Sequence, residues 1–146
     1  MYPQKNSQAH QLSYTLLQLT RLYLARLNVV AGKYGITPDQ LLILHTLSAT
    51  EGRWTIGKIT RLVAVQQPAV SKAMMQFERR QLVASFTSST DKRKKEIEIT
   101  PAGRALLGEI QNRLAHNLLP FLTQLEEQEL ATMNLLSQRV ISGIAA

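Results

Sequence analysis

Cysteine is absent from the 146 residues, which excludes disulfides, thiolate zinc sites and cysteine-based redox sensing. Aromatic residues are scarce, at 5%, within an apolar content of 45% and a charged content of 18%. That balance belongs to a globular chain, long enough for one domain spanning residues 1–146. No apolar run approaches the roughly 18 to 20 residues needed to cross a bilayer. The opening stretch from Met1 to Gln8 lacks the apolar core of a secretion signal, so a cytoplasmic protein without a membrane partner is expected. His10, His45 and His116 lie too far apart in sequence to form a metal motif. There is no Ser/His/Asp grouping, Gly-rich phosphate loop or pair of metal ligands, so neither catalysis, a metal nor a cofactor is expected.

Acidic residues are also missing from one long stretch. Between Arg53 and Lys95 ten basic residues face only Glu78 and Asp91, a balance of +8 within a total of +7. The rest of the chain therefore carries −1. A basic module inside a nearly neutral protein suits a polyanion, because each phosphate contact releases condensed counterions. Taken alone, the same charge also fits a solvated surface.

Hydrophobic periodicity supplies the organisation. Leu12, Leu16, Leu19, Tyr23, Leu27 and Val30 form one helical stripe, predicting a helix from about Gln8 to Lys33, ended by Gly35. Thr37-Pro38-Asp39-Gln40 opens a second helix with an N-cap, a proline at the first position and an acid at the positive end of the dipole. Thr55 caps a short helix over Ile56 to Val63. A turn at Ala64-Val65-Gln66 leads into another from Gln67 to about Gln81. In that helix Val70, Met74 and Phe77 point inward, while Gln67, Ser71, Lys72, Gln76 and Arg79 point outward. The period then changes to two in Val83–Thr87 and in Glu96–Ile99, with a polar, basic loop between them: a β-hairpin. Trp54 is expected at the base of this hairpin. Thr100-Pro101 starts a further helix that Pro120 should kink or break. A last helix runs from about Glu126 to Ile144, with Leu130, Met133, Leu136, Val140 and Ile144 on one face.

Helix, tight turn, helix and basic hairpin, in that order, make a winged helix-turn-helix. The fold class is mainly α with a small β-hairpin wing and about six helices. A short polar helix face can hydrogen-bond to base edges in the major groove, and Gln67, Ser71, Lys72 and Gln76 are suited to it. Lys92, Arg93 and Lys94 on the wing can follow the backbone or enter the narrow groove beside it, where cations are favoured.

Four stretches resemble the MarR family of transcription regulators. Leu41 to Leu47 stands where that family has its second helix. Val70-Ser71-Lys72, with Phe77 to Val83, is similar to its recognition helix and exit. Asp91-Lys92-Arg93 matches its Asp-x-Arg wing motif, and Ile99 to Arg104 resembles its LTxxGR helix start. The likeness covers about Ser7 to Ile144. It implies an intertwined homodimer, with residues 8–33 and 103–146 as the dimerisation lobe and 53–99 as the DNA-binding lobe. It also implies a pseudo-palindromic duplex operator, and a repressor released by a small phenolic or other hydrophobic effector. By this likeness Ser71 and Lys72 face the groove, Arg93 enters the minor groove, and Asp91 steadies Arg93. An effector cleft is assigned to Tyr14, Arg21, Tyr23 and His45. The chain departs from the family at Gln81, where glycine is usual, at a cost of about 1 kcal/mol. It departs again at Gln66, a poor N-cap.

Other readings stay open. The apolar stripes of the first and last helices could complete a monomer core instead of a dimer. A winged helix that binds protein and has lost specific DNA reading is the alternative function, supported only by Gln81 and Gln66. Operator sequence, regulated genes and the direction of regulation are beyond what the residues specify.

Overall fold

The long apolar stripe folds as α1 (Tyr2–Gly32) in a computed structural model that describes residues 2–145. The helix begins earlier than its stripe, since Gln4 to Gln8 are polar and leave no periodicity to read. It ends in a Schellman turn: Ile36 N–H reaches the Ala31 carbonyl (3.1 Å) and Gly35 N–H reaches Gly32 (3.0 Å). Gly35 takes φ +68°, a left-handed conformation that glycine adopts without steric cost.

The capping box expected from Thr37 is complete at the start of α2 (Pro38–Ser48). The Thr37 hydroxyl accepts from Gln40 N–H (3.2 Å), and the Gln40 side chain accepts from Thr37 N–H (3.0 Å). Strand β1 (Trp54–Thr55) leads directly into α3 (Ile56–Val63), whose first turn is capped by Thr55 accepting from Lys58 N–H (3.2 Å). After the turn come α4 (Gln67–Arg79), β2 (Val83–Thr87) and β3 (Lys95–Ile99). The three strands form an antiparallel sheet in the order β1-β3-β2, with Ser85 opposite Ile97 and Trp54 also opposite Ile97 on the other edge. The two-residue β1 is too short to show an alternation, so the sequence does not announce it.

Helix α5 (Pro101–Asn117) starts at Thr100, whose hydroxyl accepts from Gly103 N–H (3.0 Å). Pro120 breaks the chain as expected, setting off the short α6 (Leu119–Thr123) before α7 (Glu127–Ala145). The described residues thus hold seven helices rather than about six, the difference being this one separated turn.

One aliphatic core joins the lobes. Ile43, Leu44 and Leu47 of α2 meet Ile59 of α3, Val70 and Phe77 of α4, Ile97 of β3 and Ile110 of α5, all essentially sealed from water. Each such side chain contributes about 1.5–3 kcal/mol of burial. Leu27, Val30 and Ala31 bring the end of α1 into the buried set. The remainder of the α1 stripe behaves differently: Leu12, Leu16 and Leu19 are 55, 45 and 44% exposed. No residue of α7 is buried, and its neighbour is α6. Among the described residues no helix is long and apolar enough to cross a membrane.

Candidate nucleic-acid interface

The turn between α3 and α4 uses a left-handed residue, Ala64 (φ 53°), and then extends through Gln66. As its side chain suggested, Gln66 makes no capping bond, and the start of α4 depends on Pro68 in the first turn. The buried side of α4 is Val70, Ala73, Met74 and Phe77. Its opposite side presents Gln67 and Lys72 to solvent, with Ser71 half-exposed between them and Met75 55% exposed. Gln76 is differently placed. Its amide oxygen accepts a bond from the Gln40 side chain of α2, in a half-buried cleft of about 400 Å³ that also includes Gly35, Thr37 and Arg80. The expectation that Gln76 points freely outward is therefore corrected: it braces α4 against α2.

The wing is built around Ser88, the one buried polar side chain of the described residues. Its hydroxyl accepts from the N–H groups of Thr90 (3.3 Å) and Asp91 (3.4 Å), and its own N–H reaches the Lys94 carbonyl (3.0 Å). Asp91 then forms an Asx turn, accepting from Arg93 N–H at 3.0 Å and from Arg93 Nε at 3.3 Å on the same oxygen. The Arg93 backbone bond first, then its guanidinium, hold the Asp91 carboxyl below its ordinary value. Yet the Arg93 side chain is 91% exposed, so Asp91 orients the guanidinium without hiding it.

The helix start and the wing meet. Thr55, Arg61, Gln67, Arg93, Lys94 and Lys95 share an open groove of about 750 Å³. Four cations thus line one trough beside the exposed end of α4. Lys92 is exposed nearby on the wing. Not every basic residue of the central stretch contributes. Arg53 lies 3.8 Å from both Glu96 and Glu98, acids just past the basic run, and its guanidinium stacks 3.8 Å above the Phe86 ring. It holds the wing sheet together. Lys58 lies over the Trp54 ring, 4.4 Å from its centroid. Arg61 and Lys95 belong to the charge count, but only the fold brings them into the groove.

The exit of α4 is closed by a second Schellman turn. Leu82 N–H bonds to Phe77 (2.8 Å) and Gln81 N–H to Glu78 (3.0 Å), with Gln81 at φ +60°. Thr100 locks this turn from outside, donating its hydroxyl to the Gln81 carbonyl (2.7 Å) and its N–H to that of Leu82 (3.0 Å). Gly103 permits the contact, since a Cβ there would overlap the Leu82 carbonyl and approach Ile99 Cγ1 to 2.8 Å.

The residues assigned to an effector cleft are dispersed. Tyr14 and Arg21 are exposed on α1, Tyr23 is half-buried further along it, and His45 is exposed in the last turn of α2. Two clefts flank the end of α1, and none of the four lines either. One, of about 530 Å³, is polar and includes Tyr34, Glu109, Arg113 and His116. The other, of about 380 Å³, includes Leu22, Arg26, Val29 and Lys33. Among the described residues no three His, Asp or Glu side chains converge to hold a metal ion.

Residues 36–95, from the end of α1 to the wing, match the sequence model of the MarR family. Solved structures share the fold over most of the chain. The transcriptional regulator BldR of Sulfolobus solfataricus is 25% identical, with a TM-score of 0.81 over 94% of this chain and 97% of its own. BpsR of Bordetella bronchiseptica, whose DNA binding is regulated by 6-hydroxynicotinic acid, is 21% identical, with a TM-score of 0.76 over 89 and 98%. Wild-type MarR from E. coli, in its apo form, is 18% identical, with a TM-score of 0.72 over 88 and 96%.

Proposed function

We propose that this chain, a winged-helix protein of the MarR family, is a sequence-specific DNA-binding transcription regulator acting as a homodimeric repressor that a small ligand releases. The observation that carries the DNA reading is the cationic groove shared by Gln67 of α4 and Arg93, Lys94 and Lys95 of the wing. A duplex laid across it would place α4 in the major groove, with Gln67, Ser71 and Lys72 towards base edges. Its phosphates would run past Arg61 and Lys95, and Arg93, aimed by Asp91, would reach the adjacent minor groove. Gln76 then serves the interface by bracing α4. Lys92 and Lys94 supply backbone charge.

Dimerisation is supported by what α1 and α7 leave uncovered. A lone 19-residue helix is marginal in water, yet α7 carries Met133, Leu136, Val140 and Ile141 at 44, 48, 52 and 50% exposure. The exposed leucines of α1 form a second such face. A partner copy covering both would make residues 8–33 and 103–146 one dimerisation lobe and 53–99 the reading lobe. Release by a ligand rests on the family and on BpsR, whose effector is a small aromatic acid. Ligand release in this chain would act through the clefts beside the end of α1, where the lobes join. The alternative of a protein-binding module loses its main support, because Gln81 closes the α4 exit despite its side chain.

Selection of random duplexes by the purified protein, read with its mass in solution, tests the proposal. A dimer that enriches an inverted repeat with half-sites about one helical turn apart is expected, with affinity falling steeply as salt rises. A monomer, or a pool without enrichment, overturns it.

A further inference from the structure

Arg80 occupies the C-cap of α4, yet its side chain serves another helix. Its Nη2 donates to the Tyr34 carbonyl at 2.9 Å and its Nη1 to the Gly35 carbonyl at 3.3 Å, 46 and 45 residues away in sequence. These two oxygens belong to the Schellman turn that ends α1. They lie beyond the helical ladder, at the negative end of the α1 dipole. Helix α4 ends in the same kind of turn close by, so two negative helix ends face each other with one guanidinium between them. Only a planar, permanently charged fork can satisfy two carbonyls of a tight turn at once. Gly35 permits the approach: its left-handed φ exposes the carbonyl, and a Cβ there would already touch Arg80 Nη1 at 3.5 Å. Arg104 makes a similar but single bond to the Ser48 carbonyl at the end of α2 (3.2 Å).

We infer that Arg80 is a positioning residue for operator reading: it fixes the tilt of α4 against α1, and hence the separation of the two reading helices in an assembly built on α1. This rests on the dimeric DNA-binding reading above, but its structural half stands within one chain. Gln76, bonded to Gln40 one turn earlier on α4, shares the task on the α2 side. Arg80 has its donors turned towards α1 and is not among the groove residues, so it carries no phosphate.

The chain has no cysteine, so Lys33→Cys and Met75→Cys can carry two spin labels whose separation reports the α1–α4 angle by pulsed electron spin resonance. Labelled chains are diluted with unlabelled ones to isolate the distance within one chain. Arg80→Met should broaden the distance distribution. Arg80→Lys, which keeps the charge but reaches one carbonyl at a time, should give an intermediate width. If the aligned tilt falls to about a third in each protomer, affinity for the selected operator falls by roughly tenfold, since both must be aligned. Preference among half-site spacings should flatten, while the slope of log affinity against log salt stays unchanged.

Distance distributions that superimpose for the wild type and Arg80→Met overturn the inference. So does a salt slope reduced by about 0.9, which would make Arg80 a phosphate contact instead. Should the wild-type protein select no duplex at all, the DNA reading fails by itself, and the distance distributions alone decide whether Arg80 holds the tilt.

Discussion

Single residues decide how the two ends of the DNA-facing surface are shaped. At the exit of α4 the left-handed Gln81 closes a complete Schellman turn, so the backbone geometry usually given to glycine persists with a Cβ present. Gln81→Gly should remove about 1 kcal/mol of strain. Melting at fixed protein concentration should then rise by roughly 3 °C. A lower melting point would mean that the Gln81 side chain contributes contacts outweighing its strain. On the wing, the residue that matters is Asp91. Its folded carboxyl is held below the ordinary aspartate value of 3.8, so the order it confers is complete above that pH and is lost as pH falls below it through the folded value. Protection of the Arg93 amide should therefore be flat from about pH 8 to 5 and collapse only in stronger acid. Asp91→Asn keeps an acceptor oxygen for the Arg93 amide and should weaken duplex binding less than Asp91→Ala. Equal losses in the two variants would show that the charge, not the Asx turn, aims Arg93.

At the scale of elements, α4 and the wing divide the labour of recognition, and the division is measurable. Lys72 stands exposed on the face of α4 and Arg93 in the groove on the wing. Lys72→Ala should relax base preference at one position per half-site, with a discrimination loss of about 1–3 kcal/mol. Arg93→Ala should lower affinity for all duplexes and reduce the salt slope. Mobility-shift titrations on matched and mismatched duplexes separate the two, and interchanged behaviour would reverse the docking orientation. The elements themselves were largely legible. The alternation of Val83–Thr87 placed β2 at its observed bounds, and Thr37, Thr55 and Thr100 marked three helix starts because capping is a local rule. Contacts between distant elements were not legible. Nothing near Gln76 announces Gln40, nor does anything near Arg80 announce Tyr34, since neither pairing leaves a periodic trace. The charge of Arg53 was misleading in the same way, as its acids lie in another strand.

For the whole molecule the tension left in one chain is apolar surface. The core from Ile43 to Ile110 is sealed, while Leu12, Leu16 and Leu19 of α1 and Met133, Leu136 and Val140 of α7 remain in water. Those faces lie outside the reading lobe, at the two ends of the sequence, where a second copy could cross them. A carboxylate placed in such an interface would be desolvated without a partner, whereas on a free monomer surface it would cost little. Leu136→Asp is therefore diagnostic. In a dimer it should halve the mass seen by sedimentation and leave each chain with one half-site to hold. Linking two readers multiplies affinity by roughly 10²–10⁴, so operator binding should fall by about that factor. The wing and α4 lie in the separately packed core, so non-specific, salt-sensitive binding should survive. A Leu136→Asp protein of unchanged mass and operator affinity would instead place α7 outside the dimer contact, and leave the exposed leucines of α1 to carry the assembly.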